Sequence, residues 1–412
     1  MRIYSILIFL SFFMVIQPGI DILGSGSTEV NNPVNAMVLL EKNRDHIYPA
    51  NIEYLDKRTP IKLDYNTDVK KYIDFYIIDN PEMLSVIAGR SEYYYPIFDD
   101  ILAKHNLPLE LKNLTVVESA LNPFAVSKSG ATGLWQFLFH TSRMFHLNID
   151  SYVDERRDPE KSTEAACEFL SYLYRIFNDW QLAITAYNCG PGMIEKAIEK
   201  AGGSTNYWEI RQYLSAEARD YYPKFVAACY ITSFHDTHGI KSSKFDYKYD
   251  EVESVSVKQS IWYKQISKVI GVNESDIRML NPVYKQDYVP VYDNAVKINL
   301  PKYAIKQFIM NEEKIYAYKL EAKDYNDIRA EAGRIEGKYK TIHFVQRGEY
   351  FHQIAMNSSC TLYDIMKWNN MADKNLKAGQ ALVIYKENEK VNKNVPKLKR
   401  TEKEPVLLVD NH

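Results

Sequence analysis

The sequence has few of the residues that mark fibrous, unfolded or highly charged proteins. Glycine and proline each occur 16 times in 412 residues, so a collagen-like or linker-dominated chain is excluded. Lys and Arg number 51 against 53 Asp and Glu, a formal charge of −2, and no global basic field indicates nucleic acid as a partner. Hydrophobic residues at 46% and charged residues at 25% favour a folded chain of two or three domains.

Cysteine is scarce as well. Four cysteines are spread along the chain, with no CxxC pair and no Cys/His ligand spacing. This pattern does not favour a zinc site. The spacing leaves open whether any of them form disulfides or remain buried free thiols. They are Cys167, Cys189, Cys229 and Cys360.

Long apolar runs are absent except at the start of the chain. Arg2 precedes the run Ile6–Ile16, and Pro18 and several small residues follow it. This layout is typical of a secretory signal peptide, and the run is shorter than the roughly 20 residues of a membrane span. We therefore expect residues 1–27 to be a cleaved signal and the mature protein to be exported. An uncleaved anchor is the alternative.

The next part of the chain divides into a polar lead-in and a helical block. Residues 28–85 are expected to be the lead-in, and residues 86–240 an all-α domain. Asp158 followed by Pro159 predicts an N-cap and a first helical position, because Pro is favoured there. Asp179 predicts a second N-cap, and Pro191 marks a fresh helix start after a glycine-containing turn.

The C-terminal half contains an internal repeat. Two segments align without gaps when the chain is shifted by about 88 positions, and each has the pattern of a small β-α-α-β unit. We assign the copies to residues 250–301 and 341–386, with a charged, helix-prone spacer at 302–340 and a polar tail at 387–412. The matched pairs include Val257 with Val345, Gln265 with Gln353, Ile266 with Ile354, and Asn281 with Asn369.

Glu118 is the residue with the most chemical content. The apolar face of the preceding segment runs through Leu107, Leu111 and Leu114, and Glu118 occupies the next step of four. A carboxylate on a core-facing position is costly to ionise, so its pKa should rise. Such a group can protonate a glycosidic oxygen. From periodicity alone, a buried structural Glu is the stronger reading.

Four motifs occur in order along the helical block and change that balance. They are Glu118-Ser119, Gly133-Leu134-Trp135-Gln136, Ala186-Tyr187-Asn188-Cys189-Gly190-Pro191-Gly192, and Glu217-Ala218-Arg219-Asp220-Tyr221. They resemble the motifs of the soluble lytic transglycosylase domain, over roughly residues 90–235. The C-terminal repeats resemble LysM modules, and the full layout resembles lytic murein transglycosylases of the membrane-bound D type. The resemblance implies no metal or organic cofactor.

The resemblance implies an α+β multidomain protein: a mostly α-helical, lysozyme-like catalytic domain followed by two small βααβ LysM-type modules. It also implies cleavage of the β-1,4 link between N-acetylmuramic acid and N-acetylglucosamine in peptidoglycan, with 1,6-anhydromuramic ends, and glycan binding by the LysM modules. The protein would reside in the periplasm or cell envelope, with outer-membrane or peripheral membrane association left open.

The same resemblance assigns site roles by position. Glu118 would act first as acid and then as base. Ser119 and Gln136 would hydrogen-bond the glycan or the catalytic carboxyl, and Tyr187 would steady Glu118. Asn188 would hold an acetamido or hydroxyl group, and Tyr221 would line the same cleft.

Some positions depart from the family pattern, and two alternatives stay open. Trp135 stands where Met is usual, and Ser260 replaces the opening Gly of the first repeat, so we expect that copy to be degenerate and mainly structural. A goose-type lysozyme-like hydrolase is one alternative and a non-catalytic peptidoglycan-binding protein is the other. Nearby carboxylates at Asp154, Glu155 and Asp158 are expected to cap helices or make surface contacts.

Overall fold

A computed structural model describes most of the chain. The described residues are 33–150, 152–291, 294–320 and 338–345, and, in the C-terminal part, 349, 351, 354–355, 358, 360, 362–369, 371, 376 and 380–387. The expected signal peptide and nearly all of the polar tail lie outside them, as do residues 321–337 of the spacer and the Gln346–Gly348 part of the second repeat's opening. Within the described part, no helix has both the length and the apolar character needed to cross a bilayer.

Helices make up the first two thirds of the described chain. Asp158 accepts from the backbone N–H groups of Glu160 and Lys161, and Asp179 from that of Leu182, so both predicted N-caps are present. The helices are α1 (Pro33–Asp56), α2 (Thr67–Asp74), α3 (Pro81–Lys104), α4 (Leu114–Ser119), α5 (Phe139–Met144), α6 (Pro159–Phe177), α7 (Trp180–Cys189), α8 (Pro191–Lys200), α9 (Tyr207–Ile210) and α10 (Ala216–Phe234).

The helical core forms around α7 and α10, which are apolar on most sides. Fully buried aliphatic and aromatic side chains from these helices pack with those of α3, α4 and α6, and burial of such groups is the main stabilising term. The short helix α4 lies inside this cluster, so its position is set by packing on several sides. The largest contributors include Phe98, Leu114, Trp135, Leu170, Ile184, Tyr222 and Phe225.

The segment expected to be a lead-in is helical and packs onto α10 and its neighbours. Tyr72 on α2 donates to Asp220 at 2.7 Å, and Asp64 accepts from the indole of Trp208 at 2.8 Å and from Gln181 at 2.9 Å. Val69 and Ile73 are fully buried on the other face of α2. A polar composition therefore conceals a segment that belongs to the helical body, because its partners come from more than 100 residues further along.

The first repeat has the β-α-α-β layout expected from the sequence, with additions. An antiparallel pair frames two helices, and a second, two-residue pair joins Ile261 to Val289 and Trp262 to Tyr288. Asn273 precedes the second helix, but its side chain does not cap it. The elements are β1 (Val252–Val257), β2 (Ile261–Trp262), α11 (Tyr263–Ile270), α12 (Glu274–Leu280), β3 (Tyr288–Val289) and β4 (Val296–Pro301).

The start of the predicted spacer is helical, as its composition indicates, and forms α13 (Lys302–Ala317). This helix packs on the first module, because Ala304, Phe308 and Ile315 are buried in the cluster that also contains Ile266 and Ile298. The structural module therefore extends beyond residue 301.

The second repeat contains the same asparagine hydrogen-bond network as the first. Its described elements are β5 (Lys338–Phe344), α14 (Leu362–Trp368) and β6 (Ala381–Glu387), with β5 antiparallel to β6. Asn369 donates to Ile365 O and Val383 O, and accepts from Val383 N. Asn281 makes the same three bonds with Ile277 and Asn299. The alignment of these two asparagines is therefore confirmed, and the fold class expected from the sequence is confirmed with it.

Candidate active site

Glu118 lies near the end of α4, which follows a 3-10 turn at Leu109–Asn113. Leu111 and Leu114 are fully buried, as the periodicity predicts, and they fix the direction of the helix. The helix ends at Ala120, whose left-handed backbone (φ 49°) turns the chain. Arg90 donates to the carbonyl of Ala120 at 3.0 Å, which satisfies one of the free C=O groups at the helix end.

The Glu118 side chain is half-buried, on the last turn of α4. Burial raises its pKa to about 7; a hydrogen bond from Tyr221 lowers it, the charge of Glu217 raises it and that of Lys224 lowers it. A carboxyl with such a pKa is divided between its acid and ionised forms near neutral pH, so it can both donate and accept a proton there.

Tyr221, on α10, is the direct partner of this carboxyl. Its hydroxyl donates to Glu118 Oε1. Tyr187, which was expected to steady Glu118, instead donates to the carbonyl of Trp135 at 2.9 Å. Its phenol still lies close enough for the charge of Glu118 to raise its pKa further, in addition to the effect of burial. The direct bond to the carboxyl thus comes from Tyr221, which lies beside Glu118 as expected, whereas Tyr187 bonds the neighbouring loop.

Ser119 faces the protein interior. Its hydroxyl lies 2.9 Å from the carbonyl of Leu134 and 3.0 Å from that of Thr115. The side chain is 7% exposed, and it joins α4 to the loop that contains Gln136. The structure therefore gives Ser119 a positioning role rather than the expected contact with glycan or with the catalytic carboxyl.

Gln136 sits in a tight loop that is fixed from within. Its backbone is left-handed (φ 48°), and its side-chain amide donates to Gly133 O at 2.8 Å and Ala125 O at 3.2 Å. Gly133 is required here because its φ is +88° and a Cβ atom would lie 1.9 Å from the carbonyl oxygen of Arg156. The amide nitrogen of Gln136 thus serves the loop.

Asn188 joins the site through a second carboxylate. Its amide donates to Glu217 Oε1 at 3.4 Å. Glu217 is one helical turn before Tyr221 on α10, and the fourth motif contains both residues. The sequence analysis gave Glu217 no role, although the i, i+4 spacing within that motif indicates that the two side chains share a helix face.

The other nearby carboxylates have structural partners. Asp154 and Glu155 are buried, at 1% and 5% exposure; Asp154 pairs with Arg156 and Glu155 with Lys161. Asp158 caps α6. Asp154 also caps the 3-10 turn Glu155–Arg157. The expected capping is therefore present for Asp154 and Asp158, whereas Glu155 is buried with its cation and makes no surface contact. Within the described residues, no group of three or more His, Cys, Asp or Glu side chains is arranged to hold a metal ion.

Comparisons with known proteins agree with this geometry. Residues 96–209 match the family Transglycosylase SLT domain, residues 251–317 the family Lytic transglycosylase MltD, LysM-like domain, and residues 343–384 the family LysM domain. The chain therefore contains segments similar to an SLT domain and to two LysM-type modules. The resemblance inferred from the motifs is confirmed at the level of these domains.

Individual relatives have related names. The chain is similar to Membrane-bound lytic murein transglycosylase D of Escherichia coli (strain K12), with 28% identity over 74% of this chain and 66% of that protein. It is also similar to Soluble lytic murein transglycosylase of the same strain, with 34% identity over 21% of this chain and 14% of that protein. The crystal structure of the 70 kDa soluble lytic transglycosylase from Escherichia coli has 26% identity, covers 38% of this chain and 27% of that chain, and has a TM-score of 0.30.

Replacing the hydroxyl of Tyr221 should change the pH dependence of activity. The Tyr221 hydrogen bond lowers the pKa of Glu118, so Tyr221→Phe should raise that pKa. The acid form would then persist to higher pH, and the alkaline limb of the kcat/KM profile should move upward. We also expect a loss of about tenfold in kcat, because the ionised carboxylate loses a charge-assisted donor.

The matched control is Tyr172→Phe, at an exposed position on α6. It should leave both the limb and the rate unchanged. A Tyr221→Phe profile that coincides with that of the parent would show that the bond does not act on the reacting group.

Proposed function

We propose that the protein is a peptidoglycan lytic transglycosylase. It would cleave the β-1,4 link between N-acetylmuramic acid and N-acetylglucosamine and leave 1,6-anhydromuramic ends. The observation that carries the proposal is a half-buried carboxyl, Glu118, with a pKa of about 7 and a tyrosine donor, inside the segment that matches the SLT domain.

The reaction needs one proton to move out and back. Glu118 in its acid form donates to the glycosidic oxygen while the bond from that oxygen to C1 of the muramic sugar breaks. The C6 hydroxyl of the same sugar then attacks C1, and the ionised Glu118 accepts its proton. Intramolecular attack supplies proximity that an external nucleophile would lack, and no water is consumed.

The surrounding residues fit these two half-steps. Tyr221 donates to the carboxyl and so stabilises its ionised form between the two proton transfers. Glu217 acts in the opposite sense, since its charge raises the pKa of Glu118. The opposed effects keep both protonation states within reach, which a group that serves as acid and base in one cycle requires.

A hydrolase on a related fold is the second candidate, and the reaction products separate the two. Purified peptidoglycan is digested with the protein, and the fragments are analysed by mass spectrometry. We expect muramic ends that are lighter by one water than hydrolysed ends. Fragments with only reducing, hydrated ends would contradict the transglycosylase and favour the hydrolase, in which water replaces the C6 hydroxyl.

The modules and the location complete the proposal. The second module would bind glycan through its LysM fold, while the first would serve chiefly to extend the catalytic domain. The run Ile6–Ile16 and the name of the D-type relative support export and an envelope location, with attachment to a membrane as the finer form of that proposal.

A further inference from the structure

The first module is joined to the catalytic domain by main-chain contacts. Val153 and Tyr284 form an antiparallel bridge; Asp154 N donates to Val283 O at 2.9 Å, and Lys285 N donates to Tyr152 O at 2.7 Å. Backbone bonds of this kind define both distance and orientation. The module is therefore held in a defined position by the 283–285 segment.

The connecting segment between the domains adds a second attachment. Ser243 N donates to Ser85 O at 2.9 Å on α3. The approach is close enough that a Cβ atom on Gly89 would lie 2.1 Å from Ser243 O, and Phe245 stacks on Tyr93 with ring centroids 5.2 Å apart. Two attachments at separate places restrict rotation of the module.

Between these attachments lies a cleft of about 650 Å³. This volume is within the range of about 300–1,000 Å³ that is usual for ligand sites, which often form between domains. The floor is apolar and buried, with Tyr93 and Ile97 from α3 and Leu280 from α12. Arg90, one turn before Tyr93, contacts the end of α4, so one helix borders both the cleft and the catalytic site.

The rim of the cleft carries charges of both signs that have no partner among the residues with described positions. Arg143 from the catalytic domain and Lys297 from the module are exposed. Neither is in a salt bridge or a side-chain hydrogen bond with any residue that the structure describes, and the same holds for the carboxylate of Glu160. By contrast, Lys161 is paired with Glu155.

We infer that this cleft binds the peptide stem of the substrate strand: a short peptide that carries both carboxylates and an amine. Two separated cations and the carboxylate of Glu160, beside a lining that is only partly apolar, complement such a peptide, whereas a neutral sugar offers no charge to any of them. Asp150 and Asp158 also line the cleft, but both accept from backbone N–H groups of their own segments. The inference rests on the proposed function, which makes peptidoglycan the substrate.

Calorimetric titration of the full chain tests the inference directly. In a Glu118→Gln background, a synthetic stem tetrapeptide with free carboxylates and one side-chain amine is compared with chitotetraose. We expect Arg143→Glu and Lys297→Glu each to weaken peptide binding by about fivefold, a typical effect of an exposed charge pair, and to leave chitotetraose binding unchanged. Lys306→Glu, on the exposed face of α13, is the matched control and should change neither.

A variant that fills the cleft gives an independent test. Ala295 is exposed and lines the cleft, so Ala295→Trp should reduce peptide binding without disturbing the core. Peptide affinity equal to that of the parent in the two charge variants and in Ala295→Trp would overturn the inference. An equal loss of peptide and chitotetraose binding would overturn it as well.

Kinetics on two substrates separate this inference from the proposed function. Arg143→Glu should lower kcat/KM on peptide-bearing strands by about fivefold, and it should leave kcat/KM on strands stripped of peptide within about twofold of the parent. A similar loss on both substrates would contradict a peptide site. A parent that cleaves neither substrate would instead refute the proposed function, while the titration would still decide the peptide site.

Discussion

Glu118→Gln should reduce strand cleavage by about 10³–10⁴-fold, the loss expected when a single group supplies both the acid and the base. The substitution retains the size of the side chain and its place on α4 beside Tyr221. It removes the acidic proton of the carboxyl group and the charge of the carboxylate. Glutamine at this position cannot protonate a leaving oxygen. Release of soluble fragments from purified peptidoglycan, with time, measures the effect.

The matched control is Glu168→Gln, an exposed carboxylate on α6. It changes net charge by the same amount and should retain the parent rate. Substrate binding by Glu118→Gln should persist, because the substitution leaves intact the glycan binding proposed for the modules and the peptide binding proposed for the cleft. A Glu118→Gln protein that digests peptidoglycan as fast as the parent would refute the assignment of Glu118.

The same substitution should stabilise the fold at alkaline pH. The pKa of Glu118 is raised from 4.5 to about 7 by burial, so ionisation opposes folding, and the parent loses stability as pH rises through this interval. At pH 8 we expect Glu118→Gln to be more stable by about 1–2 kcal/mol, a value reduced from the full shift because the carboxyl retains some contact with solvent. Below pH 4.5 the two proteins should unfold alike. Thermal unfolding at both pH values provides the measurement.

Local patterns in the sequence predicted local structure well. Asp158 and Asp179 cap helices as expected, since an N-cap depends on residues only two or three positions away. The 88-residue repeat correctly paired Asn281 with Asn369, because each asparagine bonds to its own helix end and to the next strand. The half-buried position of Glu118 also followed from the spacing of apolar residues before it.

Local patterns did not predict the bonding partners of the site residues, although the motif resemblance placed Glu118, Tyr187 and Tyr221 at one cleft. Which tyrosine bonds the carboxyl depends on how α7 and α10 pack around α4, and no periodicity along the chain encodes that arrangement. The polar composition of residues 28–85 suggested a lead-in, yet Asp64 and Tyr72 find partners on α7, α9 and α10. From the sequence alone, a polar residue is predicted to be exposed, because the distant hydrogen-bond partner that would allow its burial is not known.

The two repeats differ in the length of the connection between the asparagine and the last strand. The asparagine-to-strand bond spans 18 residues in the first module, from Asn281 to Asn299, and 14 in the second, from Asn369 to Val383. The longer connection contains Val283, Tyr284 and Lys285, which attach to the catalytic domain. A short insertion into a surface connection costs little in stability, so a binding module can acquire a fixed attachment in this way.

The buried pair of Asp154 and Arg156 connects that attachment to the loop of Gln136. Asp154 accepts two bonds from the Arg156 guanidinium, at 2.9 and 2.8 Å. The third nitrogen of the guanidinium donates to Gly130 O at 2.9 Å and to Phe137 O at 3.2 Å, which closes the loop that carries Gln136. Burial by itself would raise the pKa of Asp154, but the hydrogen bonds and charge of Arg156 outweigh it, and the net pKa is lowered.

Asp154→Asn should therefore destabilise the protein by about 3–5 kcal/mol, because it leaves a guanidinium buried without its counter-charge. In a domain of the size of the helical one, this loss corresponds to a fall in melting temperature of about 10 °C. A group with a lowered pKa stabilises the fold above its ordinary pKa and loses this effect as pH falls through the lowered value. The difference between parent and variant should be complete at pH 7 and should shrink in acid below about pH 4.

Two further variants show whether charge burial is the cause. Asp99→Asn removes the partner of Lys112, a pair that is one-third exposed on the aspartate side, and should cost about 0–1 kcal/mol.

The double variant Asp154→Leu, Arg156→Met removes both charges and should recover part of the loss. Recovery should stay incomplete, because the carbonyls of Gly130 and Phe137 lose their donor, and cleavage should remain impaired since the Gln136 loop is no longer closed. An Asp154→Asn protein that melts with the parent at pH 7 would show that the pair does not hold the loop.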